Sequence, residues 1–147
     1  MLVRLLYASR ALESIGAALT DAILAQSYAR NAEHGITGIL CAYQNGQVFI
    51  QALEGERDEV NQLYANIVRD SRHEKVTLLD YAEIDQRVFS GWRMGRVDLN
   101  RVNVATIMRY SAYPNLDPFS LNGRTALALL MELSTTTTVV GRPEAAR

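Results

Sequence analysis

Two residues able to rearrange hydrogen bonds stand where an apolar side chain would be the default. Tyr7 follows Val3 and Leu5 along one row of an alternating segment, and Gln51 stands between Phe49 and Leu53 along one row of another. If both rows face a core, a phenol and a carboxamide point inward. A buried carboxamide carries two donor hydrogens and an acceptor oxygen with two lone pairs. Leaving one unmade costs about 1–3 kcal/mol. Periodicity alone leaves two readings open. The pair satisfies itself or nearby backbone, the commoner fate of buried polar groups, or the two side chains belong to a site.

Two further polar clusters fall at the ends of helical patterns, Arg30-Asn31 and Asp70-Ser71-Arg72-His73. Taken singly, they read as caps, with cations favoured by the dipole at a helix C-terminus. His34 and His73 are the only histidines, and no H-E-x-x-H spacing exists, so no metal site is expected. Walker, G-x-G-x-x-G and G-x-S-x-G motifs are missing. Ser9 has no base nearby in sequence to make it a nucleophile. Cys41 is the only cysteine, which rules out an internal disulfide or thiolate cluster and suggests a reducing, cytoplasmic setting.

The elements that must position these residues follow from hydrophobic period. Val3 to Ser9 alternates as a strand. Ile15 to Asn31 has helical spacing, with Ile15, Leu19, Ala22 and Ile23 on one face, and Gly35 stops it. Gly38–Tyr43 and Gln47–Glu54 read as strands joined by an Asn45-Gly46 turn, with Gly55 breaking the second. A second helix is predicted from about Glu56 to Asp70, then strands over Val76–Ile84 and Trp92–Val97. The order predicts an α+β, ferredoxin-like βαββαβ fold with an added fifth strand. Right-handed crossovers put both helices on one face, and the third strand lies between the first and second. Beyond Leu99 a short helix around Val102–Met108, a Pro-marked link and a Leu-rich helix over Leu121–Leu133 would cover the other face. Three units are expected: residues 1–97, a helical extension over 98–134 and a flexible tail from 135 to 147.

Composition sets the outer bounds. A chain of 147 residues is one ordinary domain, and 48% hydrophobic with 21% charged residues is globular usage. The net charge of -1 favours neither a nucleic-acid nor an anionic-membrane partner. The apolar start, Met1 to Leu6, is too short for a signal peptide or a span.

Five fragments, in order and at compatible spacing, resemble the BLUF family, sensors of blue light using FAD. They are Leu5-Leu6-Tyr7-Ala8-Ser9; Ala29-Arg30-Asn31 with Gly35-Ile36-Thr37-Gly38; Phe49-Ile50-Gln51-Ala52-Leu53-Glu54-Gly55; Asp70-Ser71-Arg72-His73; and Ser90-Gly91-Trp92-Arg93-Met94. The resemblance spans about Leu2 to Val97. The segment beyond resembles, more loosely, the helical tail of short stand-alone BLUF proteins. The resemblance implies a non-covalently bound flavin between the two helices, FAD or FMN. It implies Tyr7 as electron and proton donor and Gln51 as a bridge between phenol and flavin. Asn31 would bond the polar ring edge, with Arg30, Asp70, Arg72 and His73 supporting cofactor binding. Ile23 and Ile67 would sandwich the ring. Trp92 and Met94, on the fifth strand near Gln51, would relay its state. It further implies a small red shift under blue light, no net flavin reduction and no enzymatic activity. About fifty residues follow Val97. Output is therefore expected through an unidentified signalling partner or a homo-oligomer, with no nucleic acid or membrane involved. Two rivals remain: a flavin-dependent oxidoreductase, and a cofactor-free ferredoxin-like binding module.

Overall fold

A computed structural model describes residues 1–12, 25, 29–43, 47–91 and 94–136. Five strands, β1 (Leu2–Ala11), β2 (Thr37–Tyr43), β3 (Val48–Glu56), β4 (His73–Glu83) and β5 (Gly95–Asp98), form one sheet in the order β4-β1-β3-β2-β5. β5 runs parallel to β2, and the other neighbours are antiparallel. β3 thus lies between β1 and β2, as the ferredoxin-like pattern predicts. Residues 29–34 are helical and are called α1; Gly35, at φ 67°, ends the turn in the left-handed region that glycine adopts without strain. The other helices are α2 (Arg57–Arg69), α3 (Val104–Met108) and α4 (Gly123–Thr136), with 3-10 turns at Leu99–Arg101 and Pro118–Ser120.

Each face of the sheet has its own core. On one side Val3, Leu5, Tyr7, Phe49, Leu53 and Leu40 pack with Val60, Leu63 and Ile67 of α2 and with Met94. On the other, Leu6, Ile39, Ile50 and Ala52 pack with Ile107, Leu116, Leu129, Leu130 and Leu133. The strict alternation along β1 and β3 produces this division. A sheet with two apolar faces needs two covers, and the C-terminal helices supply the second. Leu129, Leu130 and Leu133 are fully buried there, each removal from water worth about 1.5–3 kcal/mol.

Several boundaries differ from the sequence reading. β5 begins at Gly95, so Met94 precedes the strand instead of lying on it, and Trp92 is outside the described residues. The parallel ladder pairs Gly95 to Asp98 with Ile39 to Ala42, and one step earlier stands Gly38. A Cβ on Gly38 would lie 2.0 Å from the Ala52 carbonyl oxygen and 3.2 Å from Met94 Cε. Close packing of Met94 over a bare backbone replaces ladder pairing at that point. β3 continues through Gly55, which pairs with Val3. α4 extends through Thr136, past the end expected for that helix. Most of the predicted Ile15–Asn31 helix, the Asn45-Gly46 turn and residues 137–147 lie outside the described residues.

β4 starts at His73, three residues before the sequence reading, because two breaks in register let it follow β1 to its end. Leu6 pairs with Asp80 but Tyr7 with Leu78, and Ala8 pairs with Thr77 but Arg10 with Glu74. Each break is a bulge with one extra residue in β4. Each moves the side chains that follow to the opposite face. After the second, His73 pairs with Ala11 on the α2 side of the sheet. Lys75, at the second bulge, has φ 55°, the one positive value at a non-glycine residue among the described residues. A branched side chain there clashes with its own backbone. Lys75→Val is expected to destabilise the fold by about 1–2 kcal/mol, while Lys75→Gly leaves stability near wild type. Urea midpoints of the two variants check this, and equal midpoints would remove the strain at Lys75.

Candidate functional site

Tyr7 and Gln51 sit directly opposite each other in the β1–β3 ladder, on the α2 face. Residues so paired have Cβ atoms about 4.5–5.5 Å apart, so a phenol and an amide of this reach meet. The Tyr7 hydroxyl donates to Gln51 Oε1. Gln51 Nε2 in turn donates to the Met94 thioether sulfur at 3.2 Å. All three residues are buried, at 4%, 2% and 0% exposure. Burial, and then the neighbouring Tyr64 and Asp70, push the Tyr7 phenol well above its ordinary range, so it keeps its proton. Tyr64 stacks beside it, ring centroids 5.7 Å apart and tilted 51°.

The pair forms the floor of a cavity of about 560 Å³. Its lining joins Tyr7 and Gln51 of the sheet to Arg30, Asn31 and Glu33 of α1, Leu63, Asn66 and Ile67 of α2, and Asp70, Arg72 and His73 beyond it. Asn31 is 1% exposed, whereas Arg30 lies at the open rim. Leu63 and Ile67 are one helical turn apart, which puts both on the stripe of α2 that faces the sheet.

The charged end of the cavity is held by short-range geometry. Asp70 follows α2, and its carboxylate accepts from the Arg72 backbone at 2.9 Å, from Arg72 Nε at 3.0 Å and from Nη2 at 2.6 Å. The Arg72 side chain holds the Asp70 carboxyl below the usual carboxylate range, partly offset by burial. A depressed carboxyl stabilises above its unfolded pKa, so the pair persists at neutral pH and is lost only as acid reaches the depressed value. His73 uses both ring nitrogens: Nε2 donates to the Ile67 carbonyl at 2.6 Å, and Nδ1 faces the buried Ser9 hydroxyl at 3.0 Å. Because Nε2 carries the proton, Nδ1 of the neutral ring accepts from Ser9. His73 therefore ties the end of α2 to β1.

The structure brings Tyr7, Gln51, Arg30, Asn31, Ile67, Asp70, Arg72 and His73 to one cavity, with Met94 one hydrogen bond away. Ile23 and Trp92 lie outside the described residues. The sequence reading missed Leu63, Asn66, Glu33 and Ser9. Ser9 shares the row of Val3, Leu5 and Tyr7, and Leu63 and Asn66 share the α2 stripe with Ile67, so the signal was present in the spacing. Among the described residues no group of three metal-ligating side chains exists. Cys41 is buried on the opposite face, and burial keeps its thiol protonated.

An apolar helix stripe, a buried amide and a phenol over the sheet, and charged groups at the rim suit a flat aromatic ring with a polar edge. The cavity falls within the roughly 300–1,000 Å³ usual for small-molecule sites. The residues present therefore fit the flavin that the family implies.

Comparison with known proteins agrees. The family profile for sensors of blue-light using FAD (BLUF) matches residues 2–95. Photoactivated adenylate cyclase subunit beta of Euglena gracilis is 38% identical over 94 residues, 63% of this chain. The match spans 11% of that much longer relative. Among solved structures, the photo-activated state of BlsA superposes with a TM-score of 0.81 at 32% identity, covering 94% of this chain and 98% of that one. The dark state of BlrB, a BLUF protein, gives 0.72 at 31% identity, covering 89% and 92%. Neither the oxidoreductase nor the cofactor-free reading is favoured by these matches. The chain belongs to the BLUF family of blue-light sensors that use FAD.

Proposed function

We propose that this chain is a photoswitch in which Tyr7, Gln51 and Met94 convert light absorption by bound FAD into a change of packing. The continuous hydrogen-bonded chain from Tyr7 through Gln51 to Met94, at the floor of the cavity, carries this reading. Leu63 and Ile67 would flank the ring, Asn31 and Gln51 would meet its polar edge, and Arg30, Asp70 and Arg72 would hold the rim. Ile23 is assigned to the second flank and Trp92 to the relay on family resemblance. Bound there, FAD would supply blue-light absorption and an excited-state acceptor for the electron and proton that Tyr7 carries.

The protein's own part is a choice between two hydrogen-bond patterns. In the present pattern Tyr7 donates to Gln51 Oε1, and Gln51 Nε2 donates to Met94. An amide presents a donor on one side and an acceptor on the other. If it turns over or changes tautomer, its donor leaves the Met94 sulfur. A thioether is only a weak acceptor, so that bond is the easier one to give up. All three side chains are buried, so each change of partner is felt more strongly than it would be in water.

Output by way of the C-terminal helices to a signalling partner, or through a change between copies of this chain, is the corresponding proposal for the tail. No helix among the described residues is long and apolar enough to cross a membrane. A cytoplasmic setting fits the single, buried cysteine.

The test is an absorption spectrum of purified protein before and after blue light. The expected result is a flavin spectrum that shifts to the red, recovers in the dark, and belongs to a cofactor released as FAD on denaturation. A bleached flavin, or a folded protein that binds none when reconstituted, would overturn the reading.

A further inference from the structure

Glu54 is a charged residue with no solvent exposure, on the face of β3 opposite Gln51. A buried carboxylate is costly unless its lone pairs are used, and here two backbone donors come from one stretch of chain. Oε1 accepts from the Phe89 backbone N–H at 2.7 Å, and Oε2 from the Val88 N–H at 3.0 Å. Arg4, opposite Glu54 on β1, adds Nη1 at 3.2 Å. Arg87 donates to the Thr37 hydroxyl at 3.0 Å, and Thr37 is the partner of Glu54 on β2. Bonds to an ionised acceptor are roughly twice as strong as neutral ones. The row Arg4–Glu54–Thr37 therefore fastens residues 87–89 across three strands.

The same connection between β4 and β5 is fastened a second time, at Met94, to Gln51 on the other face. One strand, β3, thus holds both ends: Glu54 grips Val88 and Phe89 beneath the C-terminal cover, and Gln51 grips Met94 beneath α2. Phe89 is fully buried in the cluster of Leu129, Leu130 and Leu133. Immediately after Met94 comes β5, whose Val97 belongs to that cluster together with Leu99.

We propose that Glu54 is the fixed anchor of the switch, a positioning residue that prevents the β4–β5 connection from absorbing a displacement of Met94. With residues 88–89 held, a displacement of Met94 falls on β5, which begins at the next residue, and on Val97 and Leu99, which share one buried cluster with the leucines of α4. Without the anchor, residues 87–89 take up part of the displacement and less of it reaches β5. This rests on the photoswitch reading, and it gives that reading a direction.

The experiment compares the full, FAD-loaded chain as wild type, Glu54→Gln and Met94→Ala, with two measurements on each. The first is the light-induced flavin shift. The second is amide hydrogen exchange in dark and light. In Glu54→Gln, one acceptor oxygen is replaced by an NH2 group facing a backbone donor. Dark exchange at Val88 and Phe89 should rise about tenfold or more. The flavin shift should survive. The light-minus-dark difference in α4 seen in wild type should fall to the level of Met94→Ala. Should Glu54→Gln not fold, Glu54→Asp keeps the charge, shortens the reach and is read the same way. Exchange that rises at 88–89 while the α4 difference stays at the wild-type level makes Glu54 structural only and overturns the proposal. A wild type that shifts but has no light-dependent exchange in α4 overturns it as well. A wild type with no flavin shift fails at the photoswitch reading itself, which separates the two outcomes.

Discussion

Gln51→Leu is expected to retain bound flavin and lose the light-induced red shift completely. The substitution keeps a side chain of similar reach at a position 2% exposed and removes the amide that links Tyr7 to Met94. Its cost is the orphaned Tyr7 hydroxyl, about 1–3 kcal/mol. Domain stabilities are about 5–15 kcal/mol, so the fold should survive. Met94 loses a weak sulfur contact and gains an apolar neighbour, which its fully buried setting accepts. Retention of flavin is expected because the change leaves the other wall of the cavity, Leu63, Ile67 and Asn31, untouched. The measurement is the difference spectrum under blue light at matched flavin occupancy. A shift of normal size would show that the amide is not the moving part.

Tyr7→Phe should bind flavin and fold, yet form the red-shifted state poorly or not at all. Its reason differs from that for Gln51. The ring stays beside Tyr64 and the aromatic packing persists, but the proton and easily lost electron of the phenol are gone. Gln51 Oε1 loses its donor, again at about 1–3 kcal/mol. With the phenol pushed above its ordinary pKa by burial, raising the pH cannot mimic the substitution within the range the fold tolerates. Wild type should therefore keep its shift across neutral and mildly alkaline pH, while Tyr7→Phe lacks it throughout. Time-resolved absorption at fixed occupancy distinguishes the two variants. Gln51→Leu retains an oxidisable phenol, and Tyr7→Phe does not. A normal signalling state in Tyr7→Phe would require another donor.

The pairing of Tyr7 with Gln51 was legible because strand alternation is strict: a hydrogen-bonding side chain inside each of two largely apolar rows, on neighbouring strands, meets its partner. The C-terminal cover was legible for a similar reason, since two apolar sheet faces cannot share one pair of helices. Other features were hidden. Lys75 is not a residue type that announces a left-handed turn, so the second bulge in β4 could not be read. His73 consequently looked like part of a helix end, whereas it begins a strand and reaches back to cap α2. Met94 looked like a strand residue because the bare backbone at Gly38 that receives it lies more than fifty positions earlier. Glu54 was visible as a charge following Ile50 and Ala52 along one row, but its meaning depended on where residues 88 and 89 return to the sheet.

The two bulges of β4 have a consequence for how copies of this protein behave at high concentration. Among the described residues β4 is the outermost strand of the sheet on its side, eleven residues long, and one of its hydrogen-bonding edges has no neighbouring strand. A straight outer strand of that length is a template for another chain, and growth from it leads to aggregates. Here the longest unbroken run against β1 is four residues, Val3 to Leu6 with Glu83 to Asp80. A twisted strand interrupted at Leu79 and again at Lys75 offers an incoming chain no continuous register. Glu74, Lys75, Asp80 and Glu83 add charge along it. The irregularity that turns His73 toward the cavity thus also guards the outer strand against intermolecular pairing.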